Sequence, residues 1–288
     1  MREHTRTVAL LPRRRVHGTP LGDMRSGRRG DGAELVGLRE YRRGDDLRRL
    51  DHRASARASR ARDDDVLLVR EFYAEEAARV VVVLDRRPSM RLFPASLPWL
   101  HKPEAVRRIV ELLAASAFEA RAPLGCLAGR EWWPPARRPR TEDWHGDDGS
   151  APALAELART PRLGKGTFVF VVSDFLDPPT DEDWRRLLAR GWDPVPVVVQ
   201  DPWWEQSFPA VGGVPLPVAE TDGSRSRLVR VSQREARALR ESHEARYRTT
   251  LGRLRSLTLE PICIGRSDAA SVHLAFQRWS AARGGRLR

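Results

Sequence analysis

The apolar positions of this chain fall into two textures. From Arg79 onward, unbroken apolar runs alternate with segments in which apolar residues recur every three or four positions. Before Arg79 such patterning is sparse. Val80-Val81-Val82-Val83-Leu84 is a continuous, mostly β-branched run that stops at Asp85. A strand covered on both faces reads this way. Thr167-Phe168-Val169-Phe170-Val171-Val172 is a second such run, closing at Ser173-Asp174, and Val195 to Val199 is a third. Leu124 to Leu127 and Leu257 to Ile264 are shorter strand candidates. Pro103 opens a helix on which Val106, Ile109, Val110, Leu113 and Ala117 share a face. Ser150 with Pro152 starts another, running to about Arg159, and Asp181 to Arg190 forms a third, ended by Gly191. Ser232-Gln233-Arg234-Glu235 is a capping box. It precedes a long helix with Ala236, Leu239, His243, Tyr247, Leu251 and Leu254 on one face. A last helix begins near Asp268. Residues 201–226 predict a long loop, and Trp132-Trp133-Pro134-Pro135 a loop or edge hairpin.

Upstream, Glu34 to Tyr41 and Val66 to Phe72 predict short strands, with a turn at Gly44-Asp45-Asp46. Residues 1–32 are rich in Arg and Gly with little periodicity, which predicts a flexible or loosely docked lead-in. The expected organisation is a flexible segment over 1–32, a small β-rich segment over 33–78, and an α/β domain over 79–288. That domain would have an open, mostly parallel sheet with helices on both faces.

Composition narrows the picture. A chain of 288 residues can bury a sizeable core without disulfide staples. Its only cysteines, Cys126 and Cys263, sit in apolar runs, which predicts two reduced, buried thiols and excludes a disulfide framework or zinc-ligand cluster. No stretch approaches the roughly 20 apolar residues of a membrane helix. The Val8-Ala9-Leu10-Leu11 patch is too short for a signal-peptide core. A cytoplasmic location is therefore expected. The net charge is +12, and Lys102 and Lys165 are the only lysines among 51 basic residues. The arginines interleave with 39 acids, which favours ion-pair networks over a phosphate track. Nucleic-acid binding through the Arg-rich surface is the alternative reading of this charge.

In an open parallel sheet, ligands bind beyond the carboxyl ends of the strands, where strand order reverses. Asp85 and Asp174 each close an apolar strand, so neighbouring strands would aim both into one crevice. Two carboxylates there need a divalent cation or an arginine to offset them. The simpler alternative is that they cap helix N-termini. His243, on an apolar helix face, reads as a satisfied core histidine. The pairs Trp132-Trp133 and Trp203-Trp204, with Pro nearby, read as lids over the core more than as exposed anchors for an interface. Gly-x-Ser-x-Gly, Walker and His-Glu-x-x-His motifs are absent. Gly164-Lys165-Gly166-Thr167 precedes a strand, so it cannot cradle phosphate at a helix N-terminus.

Two stretches carry a resemblance. The strand ending in Asp85-Arg86-Arg87-Pro88-Ser89-Met90 resembles the first motif of a von Willebrand factor A domain. The run from Gly37 to Arg57, with Arg39, Glu40, Tyr41, Gly44, Asp45, Asp46, Arg49, Asp51, Ser55 and Arg57, resembles the signature of the bacterial domain-of-unknown-function family fifty-eight, together with Leu68-Val69-Arg70-Glu71-Phe72. The resemblance implies a von Willebrand A-like (Rossmann-like) fold after a small β-rich segment, and association with MoxR-type AAA ATPases. It also implies a Mg²⁺ site of the Asp-x-Ser-x-Ser kind, a hard ion held through hydroxyls and few carboxylates. Asp85 and Ser89 match its first and last positions and Asp174 its later acid. Ser150 is the best candidate for its loop threonine, with Thr141 weaker, although a helix cap is the favoured reading of Ser150. Arg87 stands where the middle serine belongs. Its guanidinium is expected to pair with Asp85 or Asp174 in place of the metal, which makes the site degenerate. The alternating charges from Arg39 to Arg57 predict an ion-pair lattice ahead of a recognition surface. The leading functional expectation is a non-enzymatic adaptor that docks an AAA ATPase at the crevice. A metal-dependent hydrolase at the paired acids is a weaker one.

Overall fold

The computed structural model describes residues 6–11, 25–42, 45–62, 64–75, 79–91, 99–133, 149–159, 163–219 and 226–286. The chain forms two compact units. Residues Arg15–Ala77 make the smaller one; Met1–Arg14 and Ala78–Arg288 make the larger.

In the smaller unit, strand β1 (Arg25–Glu40) pairs antiparallel with β2 (Leu68–Glu75), with register irregularities around Gly30, Leu35 and Gly37. Helix α1 (His52–Arg62) lies between them in sequence. The hydrophobic pattern gave no sign of this helix, because only Ala54 and Ser55 in it are buried and no apolar stripe exists. Polar anchors define it instead. Asp51 accepts from the Ala54 amide at 2.9 Å, and the Ser55 hydroxyl accepts from the Leu68 amide at 2.8 Å, tying the helix to β2. The segment expected to be β-rich is thus a strand pair with a helix, and β1 begins inside the stretch expected to be flexible.

The larger unit is a mixed α/β structure around one six-stranded sheet. Its strands are β3 (Val80–Leu84), β4 (Leu124–Ala128), β5 (Glu131–Trp133), β6 (Phe168–Ser173), β7 (Asp193–Val199) and, after a separate hairpin, β10 (Ile262–Ile264). The spatial order is β10-β7-β6-β3-β4-β5, parallel throughout except for the β4–β5 hairpin at one edge. Every residue of β3, β6 and β7 is buried, as strands covered on both sides require, and the buried Asp193 that opens β7 is paired with Arg283 at 2.8 Å. The covering helices are α2 (Lys102–Glu119), α3 (Ser150–Arg159), α4 (Asp181–Ala189), α5 (Gln233–Ser256) and α6 (Ala269–Arg286).

Strand alternation sorts the core into two faces. Val81, Val83, Val169 and Val171 pack with Leu154 and Leu157 of α3, Trp184 and Leu187 of α4, and Leu251 and Leu254 of α5. On the other face, Phe170 meets Phe276 and Trp279 of α6 with ring centroids 6.0 and 5.7 Å apart. Within the stretch expected to lead in flexibly, Val8 and Leu10 are buried. The Val8 amide donates to Ser116 Oγ at 3.0 Å, and Ser280 Oγ and Arg283 Nη1 donate to the carbonyls of Ala9 and Leu11. Residues 201–226 are not all loop: β8 (Pro215–Ala219) pairs with β9 (Ser226–Arg230). Pro215 and Pro217 disguise β8, because proline suits only strands with an unpaired edge, as both strands of a two-stranded ribbon have. No described helix is long and apolar enough to cross a membrane.

Candidate functional site

The chain passes from β3 to β4 on one side and later returns to place β6 on the other side of β3. The carboxyl ends of β3 and β6 therefore flank the point where strand order reverses. Leu84 lies opposite Val172, and the Asp85 amide donates to the Val172 carbonyl at 3.0 Å. Asp85 and Ser173-Asp174 thus emerge side by side. Asp85, Ser173 and Asp174 are all fully buried.

Arg87 closes the crevice over Asp85. Its Nε donates to Asp85 Oδ1 at 3.0 Å and its Nη2 to Oδ2 at 2.5 Å, a two-pronged grip. The Arg87 amide adds a bond to Oδ1 at 3.0 Å, and Ser173 Oγ donates to Oδ2 at 2.7 Å. The far edge of the guanidinium reaches Asp177, with Nη1 to its carboxylate at 2.9 Å and Nη2 to its carbonyl at 3.1 Å. Nη2 also lies 3.9 Å from Asp174 Oδ1. The backbone at Gly149 passes close by: a Cβ there would stand 3.2 Å from Arg87 Nε.

A second cation serves Asp174. The ammonium of Lys102, at the start of α2, is buried and donates to Asp174 Oδ2 at 3.2 Å, to the Ser89 carbonyl at 3.0 Å and to Glu205. The Leu176 amide donates to Asp174 Oδ1 at 3.1 Å, and Gln200 Nε2 donates to its carbonyl. Glu205 is held in turn by the Asp201 amide at 2.7 Å. Burial disfavours the Lys102 ammonium, yet the charges of Glu205 and Asp174 outweigh it and raise its pKa above the ordinary lysine value. Burial pushes the Glu205 carboxyl up, against the pull of Lys102. Arg87 is desolvated too, and Asp85 keeps its guanidinium firmly charged.

Of the residues expected at this site, the structure unites Asp85, Arg87, Ser89 and Asp174. Ser89 joins through its main-chain carbonyl. Ser150 opens α3 beside Gly149, and its buried hydroxyl has no hydrogen-bond partner. It therefore does not cap the helix as expected. Thr141 lies outside the described residues. Lys102, Ser173, Asp177 and Glu205 were not foreseen. The one available hint was that Lys102 is one of only two lysines in a chain that otherwise uses arginine.

These donors do not fit a hard divalent ion. Mg²⁺ needs oxygen lone pairs facing a common centre. Here both oxygens of Asp85 accept from Arg87, and Oδ2 of Asp174 accepts from Lys102. Two side-chain cations already occupy these carboxylate lone pairs. No cluster of three or more His, Cys, Asp or Glu side chains able to hold a metal occurs among the described residues.

A family model described as "Protein of unknown function DUF58" matches residues 37–142 and 145–251. The chain belongs to the DUF58 family. No curated protein matches it. Among solved structures, it is similar to the conserved hypothetical protein BatB of Bacteroides thetaiotaomicron, at 15% identity over 73% of this chain and 100% of the other, with a TM-score of 0.42. It is also similar to an aerotolerance-related membrane protein of Bacteroides fragilis, at 16% identity over 72% and 100%, with a TM-score of 0.38.

The signature residues of this DUF58 chain build the smaller unit from within. Arg39 grips Asp45 with two bonds of 2.7 Å, and Asp45 also accepts from the Arg42 amide at 2.7 Å. These bonds hold the Asp45 carboxyl down at about 2. Glu40 pairs with Arg62 at 2.5 Å and Asp51 with Arg70 at 3.0 Å. The Tyr41 amide reaches the Leu67 carbonyl at 2.8 Å. Asp46 caps the short 3₁₀ turn that contains Arg49, and Arg57 Nε donates to the Arg53 carbonyl at 3.3 Å. Gly44 lies outside the described residues.

The aromatic and thiol expectations divide. Trp203, on the loop after β7, is 60% exposed and is no lid, whereas Trp204 packs edge-on against Phe208 at 5.5 Å. Trp132 is partly exposed on β5, with its ring against Gly125. The Trp133 side chain lies outside the described residues. His243 is satisfied by the carbonyls of Trp204 and Ser207, each at 3.0 Å, but it is half-buried and not in the core. Cys126 is buried, and burial pushes its thiol up to about 11. Cys263 is exposed, on edge strand β10.

Proposed function

We propose that this DUF58 chain is a non-enzymatic interaction module of von Willebrand A-like architecture, an adaptor for a MoxR-type AAA ATPase. Its degenerate metal site is closed by its own side chains. The observation that carries the reading is the pairing of both strand-end acids with internal cations, Asp85 with Arg87 and Asp174 with Lys102. A hydrolytic centre needs a base or ligand with a free lone pair facing substrate. Here both acids are buried and their oxygens are engaged. What faces solvent is the rim. The Asp177 side chain is 88% exposed after β6, and Trp203 is 60% exposed after β7, at the same end of the sheet. An exposed tryptophan is the residue type most often found at interface hot spots. The strand order β5-β4-β3-β6-β7-β10, with its reversal beside β3, supports the architectural part of the reading.

Binding of a MoxR-type ATPase to the immobilised chain tests the proposal. The expected result is saturable binding that Trp203→Ala with Asp177→Ala weakens at least about tenfold. Undiminished binding by the double variant, or none by the wild type, overturns it. Binding of nucleic acid alone, falling steeply with salt, would favour the Arg-rich surface instead.

A further inference from the structure

A second concave site lies on the flank of the larger unit, where α5 crosses the loop between β6 and α4. It is a cavity of about 320 Å³. Pro178 and Pro179 line it above the buried Trp184 and Leu254, and Arg246 and Arg253 complete the lining. The Trp184 indole is fixed by stacking on Phe175, with centroids 6.2 Å apart. The volume is at the small end of ligand pockets, room for one ring or one branched side chain.

The two arginines differ. Arg253 is paired with Asp181. Arg246 donates from Nη2 to the Glu205 carbonyl at 2.9 Å, and no carboxylate pairs with it among the described residues. It is a cation anchored through one nitrogen, with the rest of its fork free to take an anion. The helix that presents it carries seven arginines against three glutamates, while α4, which supplies Trp184, opens with Asp181, Glu182 and Asp183.

From this geometry we infer that the cavity binds a compact apolar group bearing a carboxylate, with the apolar part between the prolines and Trp184 and the carboxylate on Arg246. The ligand is either a free aryl or branched-alkyl acid or the apolar C-terminal residue of a peptide. The inference does not rest on the adaptor reading, although the two sites meet at Glu205, whose carboxylate takes Lys102 and whose carbonyl takes Arg246.

The test uses the full chain and NMR titration, following the Trp184 indole signal. The probes are 3-phenylpropanoate, its neutral isostere 3-phenylpropanamide, and N-acetylphenylalanine. Saturable shifts are expected with a Kd on the order of 1 mM for the acid, given its few heavy atoms. The acid should bind about threefold tighter than the amide, the worth of a solvated ion pair. Arg246→Gln should erase that difference, and Ala245→Phe, which narrows the cavity, should weaken both probes. Tighter binding of N-acetylphenylalanine than of 3-phenylpropanoate would assign the site to a chain terminus; the reverse order would assign it to a free acid. Absence of a saturable shift overturns the inference. So does equal affinity for acid and amide in the wild type, or an acid preference that survives Arg246→Gln.

Discussion

The crevice of the larger unit and the signature segment of the smaller one are built from the same bond, a basic side chain on a carboxylate, in opposite solvent. In the crevice, Asp85, Asp174 and Lys102 are buried. In the signature segment, Arg62 and Glu40 are exposed by 63% and 65% of their side chains and still sit 2.5 Å apart. Distance alone would rank these pairs as equals. Solvent separates them, because water screens the outer pair, whereas removing one member of the inner pair strands a charge that has lost its hydration. The signature residues therefore shape a local fold through many weak ties, and the crevice depends on a few strong ones.

The largest expected effect comes from Lys102→Met. It leaves Asp174 and Glu205 buried without their cation, and urea unfolding should show a loss of about 3–5 kcal/mol. If the variant unfolded at the wild-type midpoint, the buried network would contribute nothing and the contrast would fail.

The pH dependence should separate the regions next. The unfolded chain releases the Glu205 proton near 4.5, and burial moves that release upward in the fold. Between those two values the native state holds more protons, so its stability falls as pH rises. Glu205→Gln should remove that fall. Lys102, raised above 10.5, contributes stability that persists through this window and is lost only as pH climbs through its folded value. In the signature segment, Asp45 acts in the opposite direction. Its carboxyl is held at about 2, so its contribution is present above 3.8 and disappears as pH drops toward 2. Urea midpoints measured across pH for wild type and Glu205→Gln decide the point.

The smallest effects belong to the outer pairs. Arg39→Ala should cost no more than about 1 kcal/mol, and Arg62→Ala close to nothing. A loss at Arg62 as large as at Lys102 would erase the distinction between the regions.

How far the primary sequence discloses this arrangement follows from the range of the forces involved. The buried strands are legible because each is built around a run of apolar residues, and Asp85 and Asp174 are legible because they close two of those runs. Arg87 is legible because it stands two residues from Asp85. Lys102 and Glu205 are not: they reach Asp174 from α2 and from the loop after β7, 72 residues away for Lys102. No local pattern encodes that meeting. Helix α1 escaped for a different reason, since it is held by the Asp51 and Ser55 side chains and buries almost no apolar surface. β8 escaped because its prolines contradict strand chemistry everywhere except in a ribbon.

Calorimetric titration of Mg²⁺ into the wild-type chain and Asp85→Ala bears most directly on the central claim, that Arg87 and Lys102 supply the positive charge of this crevice. The account predicts no saturable heat from the wild type. A saturable Mg²⁺ isotherm that disappears in Asp85→Ala would contradict it.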